Sequence, residues 1–267
     1  MRKVDYAYDV IIIGGGVVGS SIARELSKYK LNTCVLEKEL DVCCETSGRN
    51  SGVLHAGFNN KAGSLMAKFC VEGNENFDEI AKELDIPFKR TGKLVVGFNE
   101  EDKEKLIKMK EQGEANGVKG LEIINKDKIR KLSPYVEGNF ALYSPQTGIL
   151  NPFIYTIAMA ENAVSNGVKY FLDNEVLDIK KVLEKDKDIF QIKTNKNIYK
   201  SRWLINSAGL NSDKIGKMMG IEDYTIYPCR GEYFILDQKL GKYLNMPAYP
   251  VPNEKMGGLG IHLTPSI

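Results

Sequence analysis

The sequence predicts an α/β fold, and three features of it do so. A short β-branched run at residues 9–13 (DVIII) ends in Gly14, Gly15 and Gly16, with Gly19 three positions on. A helix-spaced segment and a second apolar run then lead to Glu37, so residues 8–37 hold strand, glycine turn, helix, strand and terminal acid in order. After a stretch of mixed elements the pattern returns, as an apolar strand ending in Ala208-Gly209 before a helical segment. The expected architecture is a Rossmann-like nucleotide-binding domain that is discontinuous in sequence (1–85 and 145–222), with an inserted α+β domain (86–144 and 223–267).

Each glycine of the first unit has a physical task. Gly14 permits the tight turn out of the strand, Gly16 lets backbone approach a pyrophosphate, and Gly19 lets helix and strand pack closely. The helix N-terminus that follows offers unpaired N–H groups and the positive end of the helix dipole to phosphates. Ile22, Ala23 and Leu26 recur at helical spacing on its inner face. Residues 33–36 form the second strand, and Glu37 stands 23 positions after Gly14, close to the roughly 20 residues at which an acid clamps a ribose diol.

Downstream, residues 45–52 (ETSGRNSG) read as a loop and 64–84 as a helical stretch that Pro87 stops. Residues 88–98 suggest a hairpin around Thr91-Gly92, and 100–113 a charged surface helix with opposite charges three and four apart. A short helix over 123–132 closes at Ser133-Pro134, and a strand over 141–144 precedes a turn at 146–148. Pro152 suits the first turn of a helix over 153–166, with Gly167 as its C-terminal stop. Strands follow at 168–172 and 175–179, a hairpin at 189–194 and 198–200, and a buried strand at 203–208.

Composition narrows the function classes. With 37 Lys and Arg against 35 Asp and Glu, the chain carries a formal charge of +2, and no basic field points to nucleic acid. No apolar run approaches the roughly 20 residues that span a bilayer, and the first apolar run is too short for a signal peptide. The five cysteines include no CxxC pair and nothing like a zinc ligand set, so free thiols, no metal and a reducing, cytoplasmic setting are expected.

The paired glycine sites, one at the N-terminus and one at Ala208-Gly209, resemble the two dinucleotide motifs of FAD-binding oxidoreductases related to D-amino-acid oxidase. Five further stretches sharpen the resemblance: TSGRNSGVLHAG (46–57) with GSLMAKFCVEGN (63–74), SPQTGILNP (144–152), PCRGEYF (228–234) and YPVPNEKMGGLGIHLTP (249–265). They are similar to segments of the L-2-hydroxyglutarate dehydrogenases and oxidases. The glycerol-3-phosphate dehydrogenase-like branch shares the asparagine-containing loop, the TGI segment and RGEY. GIHLTP favours the first branch, and Asn59-Asn60-Lys61-Ala62 departs from it.

The resemblance implies FAD as cofactor and a substrate role for the inserted domain. Thr46, Ser47 and Arg49 would supply donors near the pyrophosphate and ribityl chain, Asn50, Ser51, Gly52 and Val53 would pass under the isoalloxazine, and Val176 would offer backbone groups to the adenine. The alternative for Ser47 or Asn50 is an ordinary loop cap, and for Arg49 a surface charge. His55 would accept the hydroxyl proton of a substrate, with an intrinsic pKa suited to the task. His262 lies between Ile261 and Leu263 on an alternating strand, either as a substrate ligand or satisfied by a backbone carbonyl. Arg230, on the PCRGEYF strand, is either a carboxylate or phosphate clamp or the partner of Glu232. Tyr249 is a candidate for lining the substrate cavity.

The expected activity is oxidation of a CH–OH group of a small anionic metabolite, L-2-hydroxyglutarate first and glycerol 3-phosphate as the alternative, with the electron acceptor left open. Members of these families continue for a hundred or more residues after the HLTP stretch. A non-catalytic fragment, or a subunit whose flavin domain a partner chain completes, is therefore the alternative of a different class.

Overall fold

A computed structural model describes residues 5–184, 187–252 and 261–267. The GGLG stretch quoted above (257–260) lies outside the described residues. The chain divides into two compact units, one of residues 1–50 and 152–232, the other of residues 51–151 and 233–267.

In chain order the elements are β1 (Asp5–Ile13), α1 (Val17–Leu26), β2 (Thr33–Leu36), β3 (Val53–Leu54), α2 (Leu65–Glu75), α3 (Phe77–Glu83), β4 (Phe88–Lys89), β5 (Lys93–Gly97) and α4 (Glu100–Ala115). They continue with β6 (Glu122–Asn125), α5 (Lys126–Leu132), β7 (Phe140–Ser144), β8 (Gly148–Leu150), α6 (Pro152–Ser165), β9 (Lys169–Phe171), β10 (Val176–Glu184), β11 (Lys187–Thr194), β12 (Ile198–Asn206), α7 (Ser212–Lys217) and β13 (Ala248–Pro250).

The first unit is built on a six-stranded sheet in the order β10-β11-β12-β1-β2-β9. β1 runs parallel to both β2 and β12, and β10, β11 and β12 form an antiparallel meander. A central parallel strand must be apolar on both faces, and β1 meets that requirement. Val10 and Ile12 pack with Ala23 of α1 and Ala163 of α6, whereas Ile11 and Ile13 join Tyr199 and Ile215 on the opposite side. The ends of β1, β2 and β12 therefore come together at the glycine turn.

The second unit holds a four-stranded sheet, β13-β5-β7-β6, and a small sheet, β3-β8-β4. Leu106 of α4 packs with Val95 and Leu142 on one face of the larger sheet, and Ile129 of α5 with Leu94 and Ala141 on the other.

Several elements differ from the sequence reading. Residues 88–98 are not a hairpin: Phe88 pairs with Leu150 and Lys93 with Ser144, so Thr91-Gly92 links strands of two sheets. Ile123 and Ile124 pair with β7 as a strand, and the helix starts only after Asn125, whose side chain accepts from the Lys128 N–H. Residues 64–84 break into two helices at Asn76. The two segments read at 198–200 and 203–208 are one strand, because β1 pairs along its whole length, and Trp203 on it is exposed rather than buried.

PCRGEYF is not a strand. No ladder reaches residues 228–234 from any described neighbour, and Phe234 is 92 % exposed. Among the described residues around His262 the pairing is a single bridge, between Ala248 and Leu263. The unit boundaries fall at 50/51, 151/152 and 232/233 rather than at 85/86, 144/145 and 222/223. Residues 51–85 join the second unit because β3 pairs with β8, and Val71 of α2 packs on Ala56, Phe58 and Val95.

Candidate cofactor and substrate site

In the first unit Gly14, Gly16, Gly19, Glu37, Ser47 and Ala208 come together at the N-terminus of α1. Gly14 has φ +104°, and a Cβ there would lie 2.4 Å from the Ser207 carbonyl oxygen. Ser207, at the end of β12, closes the turn from the other side: its N–H and its hydroxyl both donate to the Ile13 carbonyl, at 2.9 and 2.8 Å. A Cβ on Gly19 would lie 1.9 Å from the Gly14 carbonyl oxygen. The first turn of α1 is thus pressed against the end of β1, and only glycine fits there.

Gly16 is the N-cap of α1 and brings no capping side chain, so the helix end is served from elsewhere. The Ser47 hydroxyl accepts from the Val17 N–H at 2.9 Å. Thr46, Arg49 and Asn50 are exposed on the same loop. The Asn50 amide donates back to the Thr46 and Ser47 carbonyls at 3.2 and 2.8 Å, and so shapes the loop.

Glu37 is buried at the tip of β2. Its Oε2 accepts from the Gly15 N–H at 2.6 Å and its Oε1 from the Glu39 N–H at 2.9 Å. A carboxylate has about four lone-pair positions, so acceptor capacity is left for a diol. The Asn174 N–H donates to the Glu37 carbonyl at 2.8 Å. That bond brings Val176, at the start of β10, near the acid in the fold; its side chain is buried in the core. Gly209, with φ +54°, turns the chain after Ala208 toward α7. Arg230 joins none of this: it is exposed and pairs with Glu232 at 2.8 Å.

The cradle fits the adenosine diphosphate part of a dinucleotide on three grounds. A helix N-terminus lacks a cap of its own, a glycine turn admits no side chain, and a buried acid retains acceptor capacity.

The second unit gathers the remaining candidates. Ser51 and Gly52 lead into β3, where Val53 pairs with Ile149, and His55 follows. His55 is an exposed residue, yet neighbouring protein crowds its imidazole. That desolvation, followed by the positive charge of Lys93 and by His262, holds its pKa down at about 4. The ring is neutral at pH 7.

Tyr249, on β13 opposite Val95 of β5, stacks its ring on that of His262, with centroids 4.2 Å apart at an interplanar angle of 20°. Burial pushes its phenol pKa up. His262 is half-buried while Ile261 beside it is 90 % exposed, so the two side chains sit in different surroundings.

Two residues here escaped the sequence reading. Lys93 is buried at the start of β5, with its Nζ 3.5 Å from the centroid of the Tyr249 ring and 5.4 Å from that of Phe58. Burial lowers its pKa to about 8. The available signal was a lysine opening the apolar run KLVVG. Asn74, on α2, donates to the His55 carbonyl at 3.0 Å. Among the described residues no group of His, Cys, Asp and Glu is placed to hold a metal ion, and no helix is long and apolar enough to cross a membrane.

A glycine turn at a helix N-terminus with a buried acid at the tip of the next strand defines an α/β protein of the dinucleotide-binding class. The chain matches the family of FAD dependent oxidoreductases (DAO) over residues 9–267, and it belongs to that family. It is 44 % identical over 263 residues to a glycerol 3-phosphate dehydrogenase of Caloramator mitchellensis, covering 97 % of this chain and 53 % of that protein. It is 36 % identical over 271 residues to a mitochondrial L-2-hydroxyglutarate dehydrogenase of Nematostella vectensis, covering 97 % of this chain and 59 % of the relative. The chain therefore spans little more than half the length of these two relatives. Among solved structures, dithionite-reduced L-alpha-glycerophosphate oxidase from Mycoplasma pneumoniae with FAD bound is similar, with a TM-score of 0.82 and 27 % identity. That match covers 97 % of this chain and 68 % of the other.

Proposed function

We propose that this protein is a flavoenzyme that oxidises a CH–OH group of a small anionic metabolite. FAD, when bound, supplies the acceptor for the hydride. Gly14, Gly16, Gly19, Ser47 and Ala208-Gly209 would hold the pyrophosphate side of that cofactor, and Glu37 its ribose. Thr46, Arg49, Asn50, Ser51, Gly52 and Val53 would supply contacts to its ribityl chain and flavin. His55 accepts the hydroxyl proton of the substrate at a ring nitrogen.

The observation that carries this reading is the grouping, in the second unit, of His55 with the buried Lys93 and the stacked Tyr249–His262 pair. A base must be unprotonated before it can act, and at pH 7 an imidazole with a pKa of about 4 is. Tyr249 and His262 line the same part of the unit as one stacked pair. Two substrates fit this chemistry. L-2-Hydroxyglutarate is favoured by the HLTP segment at residues 262–265, and glycerol 3-phosphate by the 44 % identity to a glycerol 3-phosphate dehydrogenase.

Steady-state reduction of an artificial dye by the purified yellow protein, with each substrate in turn, tests the reading. Reduction with one of the two is expected. A colourless protein, or a flavin that neither substrate reduces, overturns it.

A further inference from the structure

We propose that Lys93 is the residue that binds the anionic end of the substrate, pairing its ammonium with a carboxylate or a phosphate. This rests on the reading above that the substrate is a small anion.

Lys93 is 5 % exposed, and among the described residues its side chain has neither an ion-pair partner nor a hydrogen-bond acceptor. Two aromatic rings face the ammonium, Tyr249 at 3.5 Å and Phe58 at 5.4 Å from their centroids. Ring faces offset only part of the cost of removing an ammonium from water. Among the described residues no acid compensates the charge, and burial alone accounts for its lowered pKa. The titratable groups near it are His55 on the loop after β3, Tyr249 on β13 and, stacked on Tyr249, His262. Neither His55 nor Tyr249 is an anion at neutral pH.

Placement makes this charge part of the site and not a stray core lysine. Lys93 lies two positions from Val95 on a strand, and so on the same face of β5 as that residue, which pairs with Tyr249. Its charge is felt at His55, the residue assigned as the base. A hydroxy acid or a phosphate monoester carries its reacting CH–OH one or a few bonds from its anionic group. One cation near the base suits both. Binding the anion supplies the missing counter-charge, so recognition and charge compensation occur in one step.

The test is calorimetric titration of the FAD-loaded full chain with L-2-hydroxyglutarate and, separately, with sn-glycerol 3-phosphate, using neutral glycerol as control. Lys93→Met removes the charge at similar volume and Lys93→Arg retains it. The anion that wild type binds is expected to bind about tenfold to a hundredfold more weakly to Lys93→Met, with Lys93→Arg closer to wild type and glycerol indifferent to both changes. Which anion responds tells a carboxylate from a phosphate substrate.

Should Lys93→Met fail to fold, wild type alone still decides. The ammonium is lost as pH rises through about 8, so anion affinity must fall through that range. Anion affinity in Lys93→Met within threefold of wild type, or a flat wild-type profile from pH 7 to 9.5, overturns the assignment. The two readings fail separately. Substrate-driven flavin reduction with unchanged KM in Lys93→Met sinks the lysine and keeps the enzyme; charge-dependent binding without any flavin reduction does the reverse.

Discussion

Gly19→Ala places one methyl group where the fold has no room for it. The added carbon would lie 1.9 Å from the Gly14 carbonyl oxygen, 2.8 Å from the Ser207 hydroxyl and 3.1 Å from the Gly14 carbonyl carbon. Two of those three atoms are backbone, so a rotamer change cannot relieve the contact and α1 must move away from the end of β1. Overpacking of this kind costs about 1–3 kcal/mol, and the backbone obstacle puts Gly19→Ala at the upper end. About 3 kcal/mol corresponds to a fall in Tm of about 6–12 °C for a domain of this size.

Gly73→Ala is the control. It sits on the exposed side of α2 with nothing within 4 Å of the added carbon, and alanine is the better helix former by about 0.5–1 kcal/mol. Thermal denaturation, with FAD binding followed by flavin fluorescence, separates the two variants. Gly19→Ala should lose both stability and FAD affinity, whereas Gly73→Ala should gain slightly in stability and keep its affinity. A Gly19→Ala protein that melts and binds FAD like wild type would refute the packing argument.

Glu37→Gln leaves the Gly15 or the Glu39 N–H facing an amide donor; loss of a charged acceptor costs about 1.5–3 kcal/mol, and FAD titration should show affinity reduced at least tenfold. Ser47→Ala removes the acceptor from the Val17 N–H, an N-terminal capping loss of about 1 kcal/mol, to be read as a Tm fall of about 2–4 °C. For His55, protonation abolishes the base, so kcat/KM should stay level from pH 7 down to about 5 and fall only as pH drops through about 4. An acidic limb centred near 6.5 would show that the ring in solution is not desolvated.

The glycine turn was legible because its requirements are local. A strand, a turn at positive φ, a helix and an acid lie within thirty residues, and each constrains residue type directly. The meeting of Ser207 with Gly14 could be anticipated only as far as the Ala208-Gly209 strand end. The second unit was harder to read. Ile123 and Ile124 carry helix-compatible spacing, but pairing with β7 overrides it, and β4 and β5 look like a hairpin until their partners in two different sheets are known. Lys93 escaped because a lysine within an apolar run has no period that marks it as buried. Its importance comes from Phe58 and Tyr249, 35 positions before it and 156 after it.

The position of His55 follows from bonds made by its backbone rather than by its ring. Asn74, 3 % exposed on α2, donates its two amide hydrogens to the His55 and Gln146 carbonyls, both at 3.0 Å. Its Oδ1 accepts from Arg90 Nη1 at 2.8 Å, and Arg90 Nη2 donates to the Asn74 carbonyl at 2.6 Å. Arg90 also binds Gln146 and Asp78. The amide therefore has both donors and its acceptor in use, the condition under which a buried polar group stabilises a structure instead of straining it. Three segments of the second unit, α2, the link between β4 and β5, and the turn before β8, are joined through this one side chain to the carbonyl of His55. A residue on a loop is thereby held with the precision of the elements around it, while its ring keeps access to solvent. Such an arrangement suits a base that must hold one place and still exchange its proton.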